Sequence, residues 1–179
     1  MLDFLRRGHL FFSANCIAAN CIFKKKGLTA LPDTTSQLIK LKKDALRLFN
    51  QEMEKVSSFF FGAELYFNES KLNMAAFMLH QTCEQLYRLI ILIFRCKDFK
   101  SHQLKMLRKE AIFYYPQIYN VFHAKETKEL KWINLLQNSY LGARYQDDYF
   151  IKPKNFVFIK EKIEIMLFRV KVELFQSIS

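Results

Sequence analysis

From Leu38 onward, apolar residues return at every third or fourth position. Leu38, Leu41, Ala45, Phe49, Met53, Val56 and Phe60 form the first stripe. Leu72, Ala76, Leu79, Cys83, Leu86, Ile90 and Ile93 form the second, and Phe156, Ile159, Ile163, Met166, Val170 and Leu174 the last. This is the period of a helix buried along one face; a strand would alternate its inward residues instead. Only four glycines and three prolines occur in 179 residues, too little punctuation for many strands and turns. Ser101 opens a shorter helix carrying Leu104 and Leu107, which should break before Pro116 because the residue preceding a proline avoids helical backbone. Another runs from about Lys125 through Leu130, Ile133, Gln137 and Tyr140 to Ala143, and Pro153 suits the first turn of the last. The expected fold is all-α, an antiparallel up-and-down bundle of about five helices over residues 34–179. The second stripe is apolar nearly all round in its later half, which predicts burial on several sides.

Residues 1–33 lack this period. "HLFFSANCIAANCIFKKKGLTALPD" mixes aromatic, β-branched and small residues, and reads as an irregular arm with a short helix or one or two strand-like pieces. Arg6-Arg7 ahead of an apolar stretch imitates an export signal, but His9, Asn15 and Asn20 interrupt it. No run nears the ~18 apolar residues of a membrane span, so a cytoplasmic chain with no membrane contact is expected. Cys16, Cys21, Cys83 and Cys96 form no CxxC pair, which predicts reduced thiols. His9 with Cys16 and Cys21 has poor spacing for zinc, and neither metal nor cofactor is expected.

Lys and Arg number 28 against 17 Asp and Glu, a formal charge of +11 that favours anionic partners such as nucleotides or RNA. One stretch concentrates relevant groups. "LLQNSYLGARYQDDYF", residues 135–150, ends an amphipathic helix in Arg144, Tyr145, Asp147 and Asp148. In one reading Arg144 complements the helix dipole, the acids pair with it or cap the next segment, and the tyrosines pack. In the other, Arg144 offers its planar fork to phosphate and Tyr145 a face to a base. His80 and Glu84, four apart on one helical face, could approach the same corner.

Three segments in order carry a family resemblance: "AAFMLHQTCEQLY" (75–87), "KSHQLKML" (100–107) and "LLQNSYLGARYQDDYFI" (135–151). They follow the pattern of small residues then Leu-His-Gln and Glu, a Thr/Ser-His-Asp-Leu helix start, and Ala-Arg-Tyr before an acidic residue. From about residue 60 to 175 the chain resembles the HEPN family, with Gln103 in place of the usual Asp and Gln146 where many members have Pro. The resemblance implies binding of nucleotide or RNA, with that association falling on His80, Arg144, Tyr145 and Asp147. It also implies a homodimer and a nucleotidyltransferase partner, as in toxin–antitoxin modules. "LRRGHLFFSAN" then resembles the tail of a nucleotidyltransferase domain, a remnant. No Gly-Ser and no Asp-x-Asp occurs in the chain, so it cannot itself hold a nucleotide triphosphate on magnesium in that way.

Active HEPN nucleases place a histidine four to six residues beyond an arginine and cleave RNA without metal. The one match is Arg95-x6-His102, which lies early in the chain, and no histidine follows Arg144. Three classes are therefore in play: a non-catalytic nucleotide- or RNA-binding domain, a metal-independent endoribonuclease using Arg95 and His102, and a dimeric scaffold without ligand.

Overall fold

The computed structural model describes residues 10–16, 35–95, 97–122, 128–145 and 149–178. Among them there is no strand, and the chain is all-α. Helix α1 (Leu10–Asn15) precedes the long α2 (Thr35–Asn68) and α3 (Leu72–Arg95). Then come α4 (Leu104–Tyr114), a 3-10 turn (Pro116–Val121), α5 (Lys128–Tyr145) and α6 (Pro153–Phe168), which passes through a π-helical turn (Arg169–Leu174) into α7 (Phe175–Ile178).

The axis of the assembly is α3, which packs against α1, α2, α4, α5 and α6. Its sequence explains the position. Leu86, Tyr87, Leu89, Ile90, Ile91 and Ile93 are all buried, so neighbours must cover it on several sides. The α2 and α6 stripes face this core; Phe49, Met53 and Val56 are buried from the first, and all six residues of the second. Phe67 of α2 stacks on Phe156 of α6 with ring centroids 4.7 Å apart. Burying a side chain of Phe156's size contributes roughly 2–3 kcal/mol.

The junction of α2 with α3 is a tight reversal. The Ser70 amide donates to the Phe67 carbonyl and that of Lys71 to Tyr66, while Ser70 adopts φ 61°, the left-handed position that usually ends a helix at glycine.

Where the arm is described, it is helical and part of the core. Leu10 and Ser13 are buried, and Phe11 packs edge-on against Phe94 and Tyr114. Its strand-like pieces fall outside the described residues, as do residues 123–127, where the helix ending at Tyr145 was expected to begin. Pro116 breaks α4 as expected, but the chain continues as a 3-10 turn. Ser101 does not cap α4 in the ordinary way. Its hydroxyl accepts the Gln103 amide at 3.1 Å, and the Leu104 amide is taken at 2.8 Å by the side-chain oxygen of Gln137, across the bundle on α5. Helix α5 thus supplies the cap that local sequence lacks.

Candidate functional site

Two ionisable residues of α3 sit where an amphipathic helix should be driest. Within its buried face, His80 and Glu84 are almost wholly enclosed, at 0% and 1% exposure. A charge there must be paired or hydrogen-bonded, because burying it alone is too costly. Glu84 meets this by reaching outward. Its Oε1 accepts from Nδ1 of His102 at 3.0 Å and lies 3.5 Å from Nη1 of Arg88 one turn on. Arg88 also grips Asp98 through both carboxylate oxygens, at 2.7 and 3.3 Å. Two bridges of opposite polarity therefore fasten the connection between α3 and α4 to α3, and hold His102 in place.

His102 itself is mostly exposed, its side chain 65% open to solvent. Since a carboxylate only accepts, the bond to Glu84 makes Nδ1 the protonated nitrogen and leaves Nε2 as the acceptor open to a ligand. Its ring lies parallel to Tyr140 of α5, within 9° at 5.9 Å, and Tyr140 also stacks on His80 at 4.9 Å. A cavity of about 380 Å³ opens here, lined by His102, Gln103, Lys105, Asn134, Gln137, Tyr140 and Leu141. The amino end of α4 borders it, and although Gln137 and Ser101 already take the Leu104 and Gln103 amides, the helix dipole there favours an anion.

His80 is not available to a ligand in the same way. Burial, and secondarily the nearby His102, lower its pKa from 6.5 to about 4, so the ring is neutral. The Gln81 amide approaches His80 Nδ1 at 3.3 Å. Nε2 of His80 and Oε2 of Glu84 are buried without a hydrogen-bond partner. Cys83, between them in sequence, is fully enclosed and its thiol is pushed up, out of nucleophilic range.

The residues read from the sequence are thus divided. His80, Glu84 and His102 converge, but the pairing that joins them runs from Glu84 to His102, 18 positions apart. Arg95 is not their partner. It pairs with Glu110 of α4 at 3.5 Å and lies over the Phe99 ring, so the Arg95–His102 spacing does not describe this site; the arginine beside the carboxylate is Arg88. Arg144 and Tyr145 form the end of α5, and their side chains, with Asp147, lie outside the described residues. Tyr140, Gln137 and Lys105 were not read as site residues. Only the helical period would have hinted at the first two, by putting Gln137 and Tyr140 three apart on the stripe shared with buried Ile133.

The larger cavity, about 450 Å³ between α2 and α3, is chemically quieter. Its cations are already matched, Lys55 with Glu52 and Arg88 with Asp98, both at 2.7 Å. Among the described residues no group of three or more potential ligands could hold a metal ion, and no helix is long and apolar enough to cross a membrane.

No protein-family model matches the chain, and no curated protein is significantly similar to it.

Proposed function

We propose that this is a HEPN-type helical domain that binds a nucleotide or single-stranded RNA in the cavity beside His102, and that it works with a nucleotidyltransferase partner rather than as a catalyst. One observation carries the ligand reading. An exposed imidazole, locked by a buried carboxylate and parallel to a tyrosine, borders a cavity that also has Lys105 and a helix amino end. A base extends the ring stack on His102, and its phosphate meets the Lys105 ammonium and the start of α4. Stacking of this kind contributes roughly 1–3 kcal/mol per base and is tolerant of sequence. The formal charge of +11 supports an anionic ligand in general, and the three ordered motifs support the family.

The test uses substitutions on the exposed rim, each checked for an unchanged helical circular dichroism spectrum. His102→Ala and Lys105→Glu should each raise the Kd for a fluorescent single-stranded RNA by about tenfold or more, and the parent's affinity should fall log-linearly with salt. Parent-like affinity in both variants removes the reading.

The bond from His102 to Glu84 favours a second reading, acid–base cleavage of RNA. A histidine oriented by a buried acid can take the 2′-hydroxyl proton at Nε2. Against it, the arginine at this pair is committed to Asp98 and Glu84, which leaves the crowded phosphate without a fork-shaped partner there. Cleavage in the presence of chelator, giving cyclic phosphate ends and lost in His102→Ala, would establish this reading over the first.

A further inference from the structure

The exposed face of α4 goes against two electrostatic preferences of helices. Its outward residues are Lys105, Met106, Lys109 and Phe113, and its first turn holds no acid. A cation at the amino end opposes the helix dipole, and like charges four positions apart repel. Among the described residues neither lysine has an ionic partner, and the one acid of α4, Glu110, pairs with Arg95. An anion lying along this face relieves both penalties. The aromatic member of the face says which anion. Phe113 keeps 58% of its surface in solvent, although Phe11 of α1 and Tyr114 brace its ring, with centroids 5.7 and 5.0 Å away. An exposed ring held in one pose beyond two lysines suits the stacking of a base, from which an acidic peptide would gain nothing.

We infer that α4 is a track for single-stranded RNA, on which Lys105 and Lys109 hold phosphates and Phe113 stacks a second base beyond the one at His102. The inference rests on the ligand site proposed above, and it names the substrate of that site as an oligonucleotide rather than a mononucleotide. Lys105 belongs both to the cavity lining and to the outward face of α4, so the two surfaces are continuous. Phe113 lies eight positions further along, about 12 Å up the helix axis. A stacked strand covers that distance in roughly three to four steps of ~3.4 Å. With the base at His102, the whole site takes about five nucleotides, near the small end of the range for single-strand binders.

Equilibrium binding of fluorescent uridine dinucleotide, and of oligouridylates of about five and ten nucleotides, to the full chain tests it. Affinity should rise about tenfold or more from the dinucleotide to the five-mer, then level off. Phe113→Ala should weaken the five-mer about tenfold with unchanged helical circular dichroism, and leave the dinucleotide as in the parent. Lys109→Glu should do the same, and it serves alone should the first variant lose its fold. A strand of equal length with abasic sugars should bind the parent about tenfold more weakly than the five-mer and be indifferent to Phe113→Ala. A dinucleotide bound as tightly as the five-mer, or a five-mer indifferent to both variants, overturns the track and leaves the His102 site standing. An abasic strand bound as well as RNA also overturns it, reducing α4 to an unselective basic face. Binding at no length overturns the track and the ligand site together.

Discussion

Acidification from pH 6.5 to about 4 should cost this fold about 3 kcal/mol through His80 alone. The sign follows from the two states. In the unfolded chain this histidine takes up its proton near 6.5, whereas in the folded one burial holds the pKa near 4. Between those values the unfolded state binds the extra proton, so stability rises with pH across that window and is lost as pH falls through it. Glu84 lies 3.9 Å from the ring and favours the charged form, but its closer bond is to His102, and desolvation dominates. Other groups titrate over the same range, so the variant comparison isolates the effect. Denaturant unfolding of His80→Gln should show a pH dependence flatter than the parent's by about that amount. Parallel curves for the two proteins would mean that the ring is charged, or solvated, in the native state.

Gly142→Ala should destabilise the protein by about 2–3 kcal/mol, although helix propensity alone predicts a gain of about 1. Gly142 is buried in α5, and a Cβ there would overlap the ring of Tyr149. That tyrosine is wedged between helices. Its hydroxyl shares a hydrogen bond of 2.8 Å with buried Ser139, and its carbonyl accepts from the Asn73 side chain of α3. A methyl group must therefore expel the ring and break the bond to Ser139, losses that exceed the propensity gain. The decisive comparison is a double-mutant cycle. In a Tyr149→Ala background the obstacle is gone, and Gly142→Ala should become stabilising by about 1 kcal/mol. Destabilisation in both backgrounds would show that something other than Tyr149 requires the glycine.

These two positions mark what the sequence can and cannot reveal. The stripes of α2, α3 and α6 were legible because a buried face imposes its period on neighbouring residues, and Val56, Ile90 and Ile163 are indeed enclosed. The all-α class follows from the same local rule. Contacts between distant segments leave no such trace. Spacing joined His80 to Glu84 and Arg95 to His102, yet the short bonds run from Glu84 to His102 and from Arg88 to Asp98. Gln137 capping α4 and Tyr149 filling the space over Gly142 are likewise tertiary events. The stretch around Arg144 was noticed for its charge, but its described part reveals a packing role, with Gly142 and Tyr149 locking α5 to α3. That lock fixes the helix that carries Tyr140 to the cavity.

The most direct test of the account is to watch the imidazole of His102 while ligand is added. With histidine and tyrosine side chains isotopically labelled, titration of the full chain with a short single-stranded RNA should shift the His102 ring resonances saturably, along with those of Tyr140. The shift should follow the same Kd as that measured with the fluorescent single-stranded RNA. RNA that binds while both rings stay unperturbed, or no binding even at low salt, would contradict the assignment of this cavity as the ligand site.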